Sequence, residues 1–304
     1  MRLASYGKFG AERAGMVDRD RIIDLEAAMQ AAGALRPVSD MRLLLEQEDW
    51  KQLISRAWAR RDGAPSVALA EVRLGAPVPV PRKLMIAGAN THTHVAEATA
   101  VLKESVAPRQ PMILAKATSS ICGPNDDVVH PPETRKLDYE VELGVIIGRR
   151  ARRISEAEVR DHVAGFCVIN EMSARDIQLA EHESNPFYRV HFMGKSYDTF
   201  NPMGPYLVTL DEIEWGKPLG LKTFVNGKVR QDGDTSDLVF GVEQLVAYIS
   251  QAMTLYPGDV ISTGSPAGVA HFMKPPGYLQ PGDVVRCEVE GIGAIENRVV
   301  TESH

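Results

Sequence analysis

The stretch Leu137-Asp-Tyr-Glu-Val-Glu-Leu-Gly-Val-Ile-Ile-Gly-Arg-Arg150 is mostly strand-forming and apolar, yet it carries Glu140 and Glu142 inside it and Asp138 just before. Val141, Leu143, Val145, Ile146 and Ile147 favour a buried strand. Residues two apart in a strand share a face, so Glu140 and Glu142 are predicted to project side by side, next to the small Gly144. Two neighbouring carboxylates repel each other and resist burial unless something neutralises them, and a divalent cation does so. The alternation also fits a one-sided sheet, with the glutamates in solvent and Val141, Leu143 and Val145 on the core. The stretch alone leaves both readings open.

Working outward, the chain has 304 residues, 44% of them hydrophobic and 24% charged, which is enough for a sizeable core and one or two domains. A formal net charge of -6 argues against a nucleic-acid surface. No apolar run is long enough for a membrane span, and the N-terminal residues do not form a signal peptide. Cys122, Cys167 and Cys287 are odd in number and far apart, so neither a disulfide framework nor a zinc knuckle is expected. A reducing cytoplasm is the expected compartment. Arg149–Arg153 (RRARR) reads as a solvated turn or a basic patch. Ser155 and Glu158 then form a capping box that starts a short helix.

Residues 1–75 are expected to form a small N-terminal α/β domain, with strands near MRLASYG and Ile22–Leu25 and a helix over Ser39–Trp58. The Pro-rich GAPVPVPRK reads as a linker into a body over 76–304. There strands dominate: KLMIAGAN, HVAGFCVIN, GPYLVTL, LKTFVNGKVRQ with an Asn226-Gly227 turn, GDVISTG and GDVVRCEVEGIGAIENRVV. Val242–Leu255 reads as an amphipathic helix. The expected class is α+β, mainly β, and not a parallel βαβ array.

Other polar residues stand where a cleft could form. The apolar strand Phe166–Ile169 ends in Asn170-Glu171, and Arg175 and Gln178 follow one helical turn apart. Lys195, with Thr199 nearby, lies in an expected loop before GPYLVTL. Each is also readable as a surface group. His92 and His94 form an H-x-H pair of the kind that can bind zinc, without a third ligand at convincing spacing. If a helix starts here, His94 and Glu97 share a face, and the carboxylate could polarise the imidazole or simply form a surface ion pair.

Taken together, GANTHTHVAE, KATSSICGPND, LDYEVELGVIIG, GFCVINEMSARDIQ, GKSYDTFNPMGP, VNGKVRQDGDTSD and GDVISTGSPAGV resemble the fumarylacetoacetate hydrolase superfamily in both order and spacing. The resemblance runs from about Lys83 to Val300, and the first residues are similar to the N-terminal domain of two-domain bacterial members, of the acylpyruvate and fumarylpyruvate hydrolase kind. It implies a mixed β-sandwich roll, usually dimeric, and a site for Mg²⁺ or Mn²⁺ held by Glu140, Glu142 and Glu171. The family usually has Asp at the third position. The extra methylene shifts the carboxylate by about 1.5 Å, comparable with a Mg–O distance of about 2 Å. By the same resemblance Arg175, Gln178, Lys195 and Thr199 surround substrate and metal. Ser265 stands where Thr is usual, in the loop that holds the substrate carboxylate. His94 and Glu97 fall on the lid dyad that activates water, and Thr91 replaces a tyrosine often found there. The implied activity is C–C hydrolysis of a 2,4-dioxo acid in catabolism of aromatic or sugar-acid compounds. Oxaloacetate decarboxylation, enol–keto isomerisation and a non-catalytic ligand-binding role are its rivals.

Overall fold

The structure is a computed structural model and describes residues 1–103, 107–181, 185 and 189–302. The strand Val141–Ile147 lies in the middle of a twelve-stranded mixed sheet, between Val163–Asn170 and Val260–Ser262, antiparallel to both. Leu84–Gly88 and the edge strand Met112–Ala115 follow on one side, and Asn201–Thr209 on the other. A second sheet of five strands is formed by Lys228–Asp234, Gly220–Val225, Val284–Val289, Gly293–Thr301 and Val128–His130. The fold is the expected α+β, strand-rich arrangement of mixed sheets.

Both faces of Val141–Ile147 are covered, which rules out the solvent-facing alternative for its glutamates. Val141, Leu143, Val145 and Ile147 pack with Leu221, Val285, Cys287 and Ile295 of the five-stranded sheet. On the opposite face, Ile146 packs with Cys167, Ile169 and the N-terminal residues Leu44, Trp50 and Ile54. Burying each Leu or Ile contributes roughly 1.5–3 kcal/mol, so this double layer can hold polar groups at its end. The N-terminal strands continue the large sheet: Arg2–Tyr6 pairs antiparallel with Asn201–Thr209.

The expected Ser39–Trp58 helix is two helices, Met41–Leu45 and Trp50–Trp58. Asp40 caps the first by accepting from the Leu43 amide at 2.8 Å, and Asp49 leaves helical geometry before the second. Arg13–Asp18 is a strand that the sequence reading left out. The Ser155 capping box forms, although the turn behind it is 3₁₀ before it becomes α-helical at Val159. Asn226 and Gly227 have φ of 50° and 74° in a hairpin that pairs Val225 with Lys228, the conformation Asn-Gly favours. No described helix is long and apolar enough to cross a membrane. The three cysteines are buried and unpaired.

Candidate active site

The central strand and its antiparallel neighbour deliver the three expected ligands to one point. Glu142 lies on Val141–Ile147, Glu140 immediately precedes it, and Glu171 immediately follows Val163–Asn170. The Glu171 amide donates to the Glu140 carbonyl at 2.8 Å, closing the two chains together. One oxygen from each acid lies within 4.8 Å of the others, and all three residues are buried.

Their surroundings are unequal. Glu140 faces Arg175 Nη2 at 3.0 Å and Lys195 Nζ at 3.2 Å. Burial opposes its charge, but Arg175 and then Lys195 outweigh burial and hold it well below the usual carboxylate range. Glu171 accepts from Lys116 at 2.6 Å and from Lys195. Among the described residues Glu142 has only neutral donors, the Ser262 hydroxyl at 2.6 Å and the Gly264 amide at 2.7 Å. Burial, followed by Glu171 and Glu140, pushes it up to about 8. Four buried acids (Asp138, Glu140, Glu142 and Glu171) thus meet three buried cations (Lys116, Arg175 and Lys195). Of these, the acid left without a cation is Glu142. An all-carboxylate set with a charge deficit at one member fits a hard divalent cation and not zinc.

Arg175 and Gln178 lie on the short helix Arg175–Gln178, as their spacing suggested. Arg175 Nε donates to Asp138 at 2.8 Å, and its Nη1 donates to Gln178 Oε1 at 3.1 Å. Lys195 does not lie in a loop. It closes the helix His191–Lys195, which turns its ammonium inward onto Glu140, Glu171 and Ser173. Burial opposes its charge, but Glu140 and Glu171 raise its pKa above the ordinary value.

Thr91 caps the helix His92–Leu102, so the helix starts two residues before His94. His94 Nδ1 donates to Glu97 Oε1 at 2.7 Å, which leaves Nε2 turned toward Glu140 Oε1 at 3.8 Å. Glu97 is itself held by the Gly268 amide at 2.9 Å. The dyad is therefore built against the carboxylate cluster. His92 is exposed while His94 faces inward, so the pair does not converge as a zinc site. The Thr91 hydroxyl donates to the Ser265 carbonyl at 2.6 Å, tying the helix to the loop that follows Val260–Ser262.

Ser265 is buried, and its hydroxyl accepts from Gln231 Nε2 at 2.7 Å. Thr199 immediately precedes Phe200, whose carbonyl accepts from Lys116 at 2.7 Å. The Thr199 hydroxyl accepts from the Val129 amide at 2.8 Å, and φ at Thr199 is 66°.

Two contributors escaped the sequence reading, as did the role of a third residue. Lys116 immediately follows the apolar strand Met112–Ala115, and nothing local marks its target 55 residues away. Gln231 links Ser265 to the central strand by accepting from the Val141 amide at 3.0 Å. Asp138 was visible as a third acid in the opening stretch, but its work is to hold Arg175. A groove of about 790 Å³ bounded by Trp50, Arg82, Arg149 and Tyr256 includes none of these residues.

Residues 83–300 match the family model described as fumarylacetoacetate (FAA) hydrolase, C-terminal. The chain belongs to the fumarylacetoacetate hydrolase family. It is 43% identical over 236 residues to the oxaloacetate tautomerase FAHD2A, mitochondrial, of Homo sapiens, covering 78% of this chain and 72% of that one. A maleylpyruvate hydrolase from Sphingobium sp. SYK-6, crystallised in complex with manganese(II) ion and pyruvate, superposes with a TM-score of 0.78 at 31% identity, covering all of both chains. A 2-hydroxyhepta-2,4-diene-1,7-dioate isomerase from Mycobacterium marinum gives a TM-score of 0.73 at 28% identity, again covering all of both chains. Members of this family so similar to the chain thus include a tautomerase, a hydrolase and an isomerase.

Proposed function

We propose that this protein hydrolyses the C3–C4 bond of 2,4-dioxo acids of the acylpyruvate type. The observation that carries the reading is the Glu97–His94 pair, with the free imidazole nitrogen aimed at the carboxylate cluster. Glu97 fixes the tautomer and orientation of His94, whose Nε2 takes a proton from water. The water oxygen bonds to C4, the C3–C4 electron pair moves to C3, and the proton is returned there. The products are a carboxylic acid and pyruvate. A positioned base of this kind supplies roughly 10²–10⁴-fold. Arg175, Gln178 and Ser265 line up the substrate, and Lys195 offers positive charge to the oxygen that becomes negative. Glu140, Glu142 and Glu171 would hold Mg²⁺ or Mn²⁺, which supplies Lewis-acid stabilisation of the developing enolate.

The 43% identity to an oxaloacetate tautomerase supports a second reading, keto–enol exchange or decarboxylation of oxaloacetate at the same acids. Neither reaction requires an attacking water. The test is a product screen of 2,4-dioxo acids and oxaloacetate with Mg²⁺ and Mn²⁺, with chelator as control. Metal-dependent release of pyruvate and the matching carboxylic acid is expected. Turnover of oxaloacetate with no cleavage of any dioxo acid would transfer the assignment to the second reading.

A further inference from the structure

The turn Ala270–Phe272 is attached to the site by one carboxylate. Asp138 Oδ1 accepts from the Ala270 amide at 2.7 Å and from the Tyr139 amide at 2.9 Å. Its Oδ2 accepts from the His271 amide at 3.1 Å and from Arg175 Nε at 2.8 Å. Asp138 is fully buried and lies two residues before Glu140. The turn therefore has a fixed position relative to both Arg175 and the acid cluster, because releasing it would leave a buried carboxylate short of donors.

That attachment sets an aromatic wall beside the dyad. The half-buried Phe272 ring lies 5.6 Å from the His94 ring, tilted by 54°. The His271 ring meets Phe272 edge-on at 4.9 Å, and His271 Nδ1 lies 2.8 Å from the Tyr278 hydroxyl. Burial and then Arg175 hold His271 below the ordinary imidazole range, so it is neutral at neutral pH. Arg175 forms ion pairs with Asp138 and Glu140. The turn thus sets an aromatic ring next to His94, with the half-buried Arg230 guanidinium against Gly277 behind it.

We infer that Phe272 is the specificity-determining residue of this site, selecting small groups on the carbonyl carbon that is attacked. The inference rests on the hydrolytic reading above. A water activated at His94 attacks a carbonyl beside that ring, so the substituent on this carbonyl lies against Phe272. A bulky ring would collide with a wall that Asp138 prevents from retreating.

The experiment compares wild type, Phe272→Ala and Phe272→Tyr with 2,4-dioxo acids bearing methyl, phenyl or carboxyvinyl at C4. Dissociation constants are taken by calorimetry on the Mn²⁺-loaded protein, alongside kcat/KM. Wild type is expected to favour methyl over both others. In Phe272→Ala the phenyl-to-methyl preference should rise about tenfold or more in both readouts, the scale of pocket-size discrimination, while Phe272→Tyr keeps the wild-type order. Phe272→Leu carries the same comparison if Phe272→Ala does not fold. A preference that moves less than about twofold, or a wild type that favours the carboxyvinyl acid, overturns the inference. If binding preferences shift as expected but no acid is cleaved, hydrolysis is wrong and the specificity wall stands. If none of the acids binds, both fall.

Discussion

Lys116 Nζ lies 2.6 Å from Glu171 Oε1, and neither side chain is exposed to solvent. The same ammonium donates to the carbonyls of Phe200 at 2.7 Å and Met172 at 3.2 Å, so its three hydrogens are spent. The longer acid at position 171 is thereby met by a cation anchored to backbone. Glu171→Asp retracts the carboxylate by about 1.5 Å from that anchor. It should bind Mn²⁺ roughly 10–100-fold more weakly, the usual cost of disturbing a ligand's support. Lys116→Met leaves Glu171 with Lys195 alone and should destabilise the metal-free protein by about 3 kcal/mol. Calorimetric titration and urea unfolding measure the two effects. Tighter Mn²⁺ binding by Glu171→Asp would show that Lys116 does not place Glu171 for the cation.

Glu142 makes metal binding depend on pH. Its carboxyl is pushed up to about 8 by burial, then by Glu171 and Glu140, so the native state favours its protonated form. The sign follows from that. Its contribution to stability is complete below the unfolded carboxylate range and is lost as pH rises through about 8. In metal-free protein, melting temperature should therefore fall more between mildly acidic and mildly alkaline pH than in Glu142→Gln. The cation must displace the same proton, so Mn²⁺ affinity should climb roughly tenfold per pH unit before levelling off. Melts and titrations across this window decide it. A wild type whose melting profile parallels that of Glu142→Gln would place the proton elsewhere.

The parts of the site legible in the sequence are those whose spacing is local. Glu140 and Glu142 share a strand, Arg175 and Gln178 one helical turn, and His94 and Glu97 another, and the structure brings all three pairs together. The strand-rich fold was legible for the same reason, since alternation and turn residues are short-range signals. Contacts across long separations were not. Lys116 meets Glu171 across 55 residues and Gln231 meets Ser265 across 34. A lysine after an apolar strand looks the same whether it ends in water or in the core. The resemblance placed Thr199 around substrate and metal, and the contact of its hydroxyl, from the Val129 amide, is likewise long-range.

Gly144 explains how the glutamate strand sits so close to its neighbour. A Cβ at this position would lie 2.6 Å from Cys167 Sγ and 2.7 Å from Ile169 Cδ1, inside contact distance for both. Gly144→Ala overpacks a core with no slack and should cost about 1–3 kcal/mol. Chemical denaturation measures the loss. A cost below about 0.5 kcal/mol would mean that these two side chains have free rotamers to adopt, against the dense packing argued here.

His94→Ala separates water activation from enolate stabilisation. Its Nδ1 is bound to Glu97 at 2.7 Å, and its Nε2 lies 3.8 Å from Glu140, too far for a hydrogen bond but close enough to address a molecule beside the cluster. Removing the ring should cost about 10²–10⁴-fold in C–C hydrolysis, the range for a lost general base. Any oxaloacetate turnover should fall much less, because it needs no attacking water. Mn²⁺ affinity should remain within about threefold of wild type, since the imidazole is not among the three ligand acids and outer-shell losses run to 10-fold or more. Glu97→Gln keeps the size of the side chain but removes the charge that orients His94, so it should lower hydrolysis in the same direction by a smaller factor. The measurements are kcat/KM with a dioxo acid and with oxaloacetate, together with a metal titration of each variant. If His94→Ala cleaves its dioxo acid at the wild-type rate, the dyad only ties the helix His92–Leu102 to the Gly268 loop, and the hydrolytic mechanism is wrong.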